Sequence, residues 1–314
     1  MQILIPDSVP LPLEDFPLEV VRFGSRDDLS AFNTDALIVW GFSKKTLEPL
    51  LQMPNLKYIQ TLSAGVDHVL NLSPREDILI SNGKGLHDAP TAELAVSLLL
   101  AGVRRLHYFR DAQTGISWDR GAYQHALSGQ HFLTLESAKV LIVGFGSIGL
   151  AVAQRLSPFG CDVEGVARSG GFRNGYTVHS LDNIDDLLPH FDAVILVLPD
   201  TPDTHGFISS SRLAKMKKGA WLVNVGRGSA ISEPDLIAAL ESGHLSGAAL
   251  DVTQTEPLPE DSPLWKLENL ILTPHIAGGG PNFYRKAASL LRRNAQNFVT
   301  GAPLENLVDR KKGY

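Results

Sequence analysis

The stretch Lys139-Val140-Leu141-Ile142-Val143-Gly144-Phe145-Gly146-Ser147-Ile148-Gly149 constrains this chain more than any other. A mainly apolar strand runs directly into glycines at the spacing G-x-G-x-x-G, and Ile148, Val152 and Leu156 then recur at helical spacing. Strand, tight turn and amphipathic helix in that order are what a dinucleotide-binding turn requires. Gly144 permits the turn, Gly146 lets the backbone approach a pyrophosphate, and Gly149 lets the helix pack on the strand. The helix N-terminus adds free N–H groups and a dipole favourable to the anion. Gly144, Phe145, Gly146, Ser147, Ile148 and Gly149 are therefore cofactor-binding candidates; the bland alternative is a plain glycine-rich turn.

The next strand, Asp162 to Val166, ends at Ala167-Arg168-Ser169. A carboxylate at this place would hold the ribose 2′-OH of NAD. Arg168 can instead pair with a 2′-phosphate and Ser169 can donate a hydrogen bond to it. Glu164 does not substitute, because it falls on the opposite face of the strand. The reading is NADP(H) preferred, with NAD(H) as the alternative and an exposed arginine without a phosphate role as the bland one.

Short apolar runs alternate with helical stretches along all 314 residues. Strands are expected at Gln2 to Ile5, Ala36 to Trp40, Lys57 to Thr61 and Ile78 to Ser81. A second series covers Lys139 to Val143, Asp162 to Val166, Ala193 to Leu198, Ala220 to Val225, Gly247 to Leu250 and Leu270 to Thr273. Runs such as Val194-Ile195-Leu196-Val197-Leu198 are apolar on both faces, which suits a parallel sheet covered on both sides and a doubly wound α/β fold. One long helix is expected to follow Asp88-Ala89-Pro90, with Asp88 as its cap, and to reach about Tyr108. Another is expected after Pro281, stopping at Gly301. Asp111 to Ser137, with Trp118, Tyr123, His125 and Phe132, is weakly patterned and reads as a functional loop or an interface.

Composition narrows the function classes. Hydrophobic residues make up 44% and charged residues 20%, enough for full cores, and the length suggests two domains. A net charge of −6 argues against a protein that holds nucleic acid by its phosphates. One cysteine, Cys161, forbids a disulfide within the chain and suits a reducing compartment. The N-terminus lacks a basic n-region and the longest apolar run is too short to cross a bilayer, so a cytoplasmic protein without membrane contact is expected. No cysteine pairs or clustered carboxylates at ligand spacing suggest a metal site.

Three later segments follow strands, where such sheets place their ligand crevice. They are Asn224-Val225-Gly226-Arg227-Gly228, Asp251-Val252 with Glu256-Pro257, and Thr273-Pro274-His275-Ile276-Ala277-Gly278. Together with the glycine turn, Ser63-Ala64-Gly65-Val66-Asp67 and the helix from Thr91-Ala92-Glu93, they resemble the D-isomer-specific 2-hydroxyacid dehydrogenases over nearly the whole chain. The resemblance implies two Rossmann-like lobes with doubly wound parallel sheets, the nucleotide lobe (93–276) inserted in a substrate lobe (1–92 and 277–314). It implies Arg227, Glu256 and His275 as the catalytic group. Each residue type suits the reduction of a 2-oxo acid: Arg227 to grip the carboxylate and polarise the ketone, His275 to give a proton, Glu256 to hold the imidazole charged. It further implies Pro199, Thr204, Val225, Gly226, Asp251 and Gly278 at the cofactor, with Arg227 and His275 beside them, and Asp251 at the nicotinamide carboxamide. The substrate carboxylate would meet Ala64, Gly65, Val66, Arg227 and His275.

The activity implied is reduction of a small 2-oxo acid of the glyoxylate or hydroxypyruvate type, by a homodimer whose lobes close over the substrate. Asn82-Gly83-Lys84-Gly85-Leu86-His87 departs from the family's commoner wording, so Lys84 and His87 leave the acid's identity open, and Lys84 would suit a second anionic group. Phosphite oxidation and a non-enzymatic dinucleotide sensor are the rival readings.

Overall fold

The computed structural model describes residues 1–24, 27–118, 120 and 134–314. The chain divides into two compact units, one of Met1–His87 with Gly279–Tyr314 and one of Asp88–Gly278. Residues 88–92 and 277–278, expected in the first lobe, fall in the second unit, the former because they open the helix Asp88–Val103 and the latter because Asp251 of that unit binds the Ala277 amide.

The first unit holds five parallel strands: β1 (Gln2–Pro6), β2 (Glu19–Phe23), β3 (Ala36–Val39), β4 (Tyr58–Thr61) and β5 (Leu79–Ser81), in the order β2-β1-β3-β4-β5. Period-two side chains split into two cores. Ile3, Ile5, Ala36 and Ile38 pack with Phe283, Leu290 and Leu291 of the helix Phe283–Thr300, while Leu4, Leu37, Val39 and Ile59 pack with Leu47 and Leu50 on the other face. That last helix ends, as expected, at Gly301, which takes a left-handed φ of 72°.

A buried amide cluster ties the returning helix to the sheet. Gln60 Nε2 donates to the carbonyls of Thr61, Ser81 and Asn82, and Gln60 Oε1 accepts from Tyr58 Oη at 2.7 Å and from Asn294 Nδ2 at 2.8 Å. Asn294 in turn accepts from the Glu305 amide and donates to its carbonyl.

The second unit holds eight strands: β6 (Lys139–Val143), β7 (Asp162–Ala167), β8 (Gly171–Arg173), β9 (Tyr176–Ser180), β10 (Ala193–Leu196), β11 (Trp221–Asn224), β12 (Gly247–Leu250) and β13 (Leu270–Leu272). Their order is β13-β12-β11-β10-β6-β7-β9-β8, all parallel except β8, which pairs antiparallel with β9. Leu141, Val143, Val194, Leu196 and Leu222 face one core; Val140, Ile142, Ile195, Trp221 and Val223 face the other, beneath Asp88–Val103 and the helix Ser147–Leu156. Covered faces on both sides explain the continuous apolar runs.

Three expectations need correction. The helix expected to run to Tyr108 breaks after Val103: Arg105 takes a left-handed φ of 57° and a second helix, Leu106–Thr114, follows. The Arg105 guanidinium lies 5.9 Å from the centre of the fully buried Trp221 ring. Asp88 is the first helical residue rather than its cap. The region read as an irregular loop from Asp111 begins inside that second helix, while Tyr123, His125 and Phe132 lie outside the described residues.

Candidate active site

In the second unit, parallel register brings the carboxyl ends of the strands to one edge. Val143 pairs with Val166 and Leu196, Leu196 with Asn224, Asn224 with Leu250, and Leu250 with Leu272. The segments following those residues therefore emerge side by side. β6 sits between β7 and β10, so the connection reverses beside it, the place where open α/β sheets bind ligands.

The glycine turn has the geometry a pyrophosphate needs. Gly144 has φ +102°, and a Cβ there would lie 2.3 Å from the Val197 carbonyl oxygen. A Cβ on Gly149 would lie 2.4 Å from the Gly144 carbonyl, whereas one on Gly146 would enter open space. Gly146 caps Ser147–Leu156, whose first-turn amides have no carbonyl within the helix to serve them. This cradle fits a dinucleotide phosphate. Phe145 takes part through the turn alone: its amide donates to Val166 and its ring covers Gly165. Ser147 Oγ donates to Asp88 Oδ1 at 3.2 Å, and Ile148 is half-buried.

Arg227 follows β11 on a turn shaped by Asn224. The Asn224 side chain accepts from the Gly226 amide at 3.0 Å and donates to the Arg227 carbonyl at 2.9 Å. Val225 and Gly226 are buried beneath it. The half-buried Arg227 guanidinium bonds the Gly226 carbonyl at 3.0 Å. Gly228 is obligatory there, since a Cβ would overlap the Thr253 carbonyl at 2.0 Å.

Asp251 organises the His275 loop. It is 1% exposed, and its Oδ1 accepts from Thr273 Oγ1 at 2.6 Å and the Ile276 amide at 3.0 Å, while Oδ2 accepts from the Ala277 amide at 2.9 Å. The His275 amide donates to the Asp251 carbonyl at 2.8 Å, and His275 itself holds a left-handed φ of 52°. A non-glycine residue held there against its preference marks a loop that surrounding bonds over-determine. Gly278, half-buried, closes the segment.

His275 Nδ1 meets Glu256 Oε2 at 2.7 Å. The Glu256 hydrogen bond raises the imidazole pKa above its ordinary value; partial burial and the nearby Arg227 charge oppose it and lose. For Glu256, burial pushes the carboxyl up. The bonds from His275 and the Thr253 amide, with the charges of His275 and Arg227, outweigh that and hold it below its ordinary value. Arg227, Glu256 and His275 are thus electrostatically joined, and the Glu256 bond is made through Nδ1 of the imidazole.

At the other end of this edge, Arg168 Nη2 lies 3.9 Å from Asp203 Oδ2, and Ser169 Oγ accepts from Arg173 Nη2 at 2.9 Å. Glu164 pairs with His179 on the other side of β7, so it is committed elsewhere. Thr204 Oγ1 donates to the Pro199 carbonyl at 2.6 Å, closing the turn after β10.

In the first unit, Ala64, Gly65 and Val66 follow β4, and their amides meet no acceptor among the described residues. Behind them, the Gly83 amide donates to Ser63 and His87 Nε2 bonds the Leu62 carbonyl at 2.7 Å. His87 is buried and stacks on Trp40 and Phe283, while Lys84 is exposed. Among the described residues no cluster of acidic, histidine and cysteine side chains could hold a metal, and no helix is long and apolar enough to cross a membrane.

Sequence reasoning missed Asn224 as a turn-shaper, Asp251 as the loop's anchor, and Arg173 and Asp203 beside the ribose position. Asn174-Gly175, a hairpin signal, could have found β8 and β9 and with them Arg173.

A doubly wound sheet with a phosphate-binding turn and an Arg–Glu–His group at its carboxyl edge defines a nicotinamide-dependent oxidoreductase. The chain belongs to the D-isomer specific 2-hydroxyacid dehydrogenase family, whose NAD-binding domain matches residues 96–277. Its relatives include a glyoxylate reductase of Thermofilum pendens, 33% identical over 293 residues, which cover 91% of this chain and 85% of that one. Among solved structures, a Xanthobacter autotrophicus Py2 D-isomer specific 2-hydroxyacid dehydrogenase, in complex with NADPH and MES, has a TM-score of 0.83 at 29% identity, covering 100% of this chain and 99% of that one. A Sinorhizobium meliloti NADPH-dependent glyoxylate/hydroxypyruvate reductase, in complex with NADP and sulfate, has a TM-score of 0.83 at 25% identity with the same coverage. Family members are NAD(P)-dependent oxidoreductases of 2-hydroxy and 2-oxo acids, with the two-unit α/β fold.

Proposed function

We propose that this protein is an NADPH-preferring reductase of a small 2-oxo acid, glyoxylate or hydroxypyruvate in type. The observation that carries this reading is the Glu256–His275 bond of 2.7 Å beside Arg227, on the sheet edge that also bears the glycine turn. The bound nicotinamide supplies a hydride to the ketone carbon. His275, held protonated by Glu256, gives its Nε2 proton to the ketone oxygen, so that a 2-hydroxy acid leaves and neutral imidazole remains. Arg227 offers paired N–H donors to the substrate carboxylate and steadies the charge that develops on oxygen. The free amides of Ala64, Gly65 and Val66 suit a carboxylate as well.

Pro199, Thr204, Val225, Gly226, Asp251 and Gly278 line the cofactor side in this reading. Asp251 fixes the loop that carries His275, and its oxygens keep lone pairs for a carboxamide. The NADPH preference rests on Arg168 and Ser169 standing where an acidic residue would select NAD, and it agrees with the NADPH-dependent relative from S. meliloti. A homodimer is proposed on the family resemblance, with sedimentation as its test.

The test is oxidation of NADPH and NADH with glyoxylate, hydroxypyruvate, pyruvate and phenylpyruvate. NADPH should turn over faster, with the two smaller polar acids as best substrates. His275→Ala should lower turnover about 10³-fold while NADPH still binds. A protein that binds NADPH yet reduces none of these acids would overturn the reading.

A further inference from the structure

The hairpin of β8 and β9 lies at the sheet's outer edge and brings a second arginine back over the turn that follows β7. Arg173 pairs opposite Tyr176 across the hairpin. Its guanidinium donates to Ser169 Oγ at 2.9 Å and also to the Ser169 carbonyl. Arg168 turns the other way: it reaches Asp203, on the segment that follows β10, at 3.9 Å. Because β6 separates β7 from β10, this contact spans the crevice where the adenosine end of a dinucleotide belongs. The two arginines are in unlike states. Arg168 lies beside a carboxylate, while Arg173 is anchored on neutral oxygens.

We propose that Arg173 is a specificity-determining residue for the cofactor's 2′-phosphate, acting through Ser169, and that Asp203 is a counter-charge that limits Arg168's share. This deepens the NADPH reading and rests on it. A guanidinium bonded to a hydroxyl retains N–H donors for a phosphate dianion, and a charge-assisted pair of this kind is about twice as strong as a neutral one. The Asp203 carboxylate is 79% exposed; it draws Arg168 across the crevice and repels an incoming phosphate. Removing either charge therefore has opposite consequences: loss of Arg173 weakens recognition of the 2′-phosphate, and loss of the Asp203 charge strengthens it. Two merely structural surface residues would not show that opposition of sign.

Calorimetric titration of the full chain with adenosine 2′,5′-bisphosphate and with 5′-AMP separates the phosphate from the nucleoside. Arg173→Ala and Arg173→Gln should each weaken the bisphosphate about tenfold, with 5′-AMP changed less than about twofold. Asp203→Asn should tighten the bisphosphate about threefold, and the gain should shrink as salt rises. If both Arg173 variants leave the bisphosphate unchanged while Arg168→Ala weakens it, the proposal falls and the NADPH reading stands. If the wild-type protein does not favour the bisphosphate over 5′-AMP, both fall. If the Arg173 variants lose 5′-AMP equally, Arg173 supports the hairpin instead of reading the phosphate, and the proposal is overturned.

Discussion

The two ends of the second unit's carboxyl edge are built in opposite ways. At β12 and β13, Asp251 is buried and both its oxygens are engaged, and His275 is pinned in a left-handed conformation. After β7, the exposed Arg168 meets the exposed Asp203, which follows β10, at 3.9 Å. Proton transfer tolerates little misplacement, and the loop that carries it in the proposed function is held by several buried bonds. Recognition of a ribose substituent works through long charged side chains at the surface, where a pair is worth about 1 kcal/mol or less. The first end should therefore break sharply when altered, and the second should adjust.

The largest effect is expected at Asp251. Asp251→Ala strands the Ile276 and Ala277 amides and the Thr273 hydroxyl, and should cost about 3 kcal/mol in denaturant unfolding. Turnover should fall about 100-fold from misplacement of His275. A loss below about 1 kcal/mol would mean that the loop is held by something other than this carboxylate.

A smaller effect is expected at Glu256, and it depends on pH. The raised His275 pKa means that its charged form is favoured by the fold at low pH, and this contribution is lost as pH rises through the raised value. The lowered Glu256 pKa means that its contribution is present at high pH and lost as pH falls through the lowered value. The pair is thus complete only between the two. Reductive turnover, which needs the imidazolium, should decline on the alkaline side of the His275 value. Glu256→Gln should move that limb to lower pH, toward the ordinary histidine value of about 6.5. A pH–rate profile in which the limb stays in place would remove His275 as the proton donor.

The smallest effect belongs to the exposed end. Arg168→Ala should lower the ratio of NADPH to NADH catalytic efficiency about fivefold, with the folding midpoint nearly unchanged. Initial rates with each cofactor read this directly. A change in stability as large as that at Asp251 would erase the contrast between the two ends.

How legible the molecule was follows the same division. The central strands announced themselves because both faces are buried, as with Val194 to Leu196. The glycine turn was legible because its three glycines fall at a fixed spacing between an apolar strand and an amphipathic helix, and Gly149 answers to a clash with Gly144 five residues before it, although the Val197 carbonyl that crowds Gly144 is remote in sequence. Two of the four edge strands, β2 and β8, were not: β2 is largely exposed or half-buried and reads as a mixed run, Glu19-Val-Val-Arg-Phe. The break at Arg105 carries no Pro, and Gly102, whose carbonyl accepts from the Arg105 amide, reads as a helix-compatible small residue because the Trp221 ring that crowds it is remote in sequence. The Asp251 clamp was hidden for the same reason, since its partners lie 22 to 26 residues away.

The amide pair of Gln60 and Asn294 also sets an order of events during synthesis. Asp88–Gly278 is one uninterrupted stretch, and its eight strands are all translated by the time Gly278 is. The unit that opens with β1 waits: Phe283, Leu290, Leu291 and Asn294, which complete its core and its buried hydrogen bonds, are translated only after the whole of Asp88–Gly278. The unit begun first is therefore completed after the stretch inserted in it, and until then Gln60 keeps its bonds to Tyr58, Thr61, Ser81 and Asn82 but lacks the donor that Asn294 supplies.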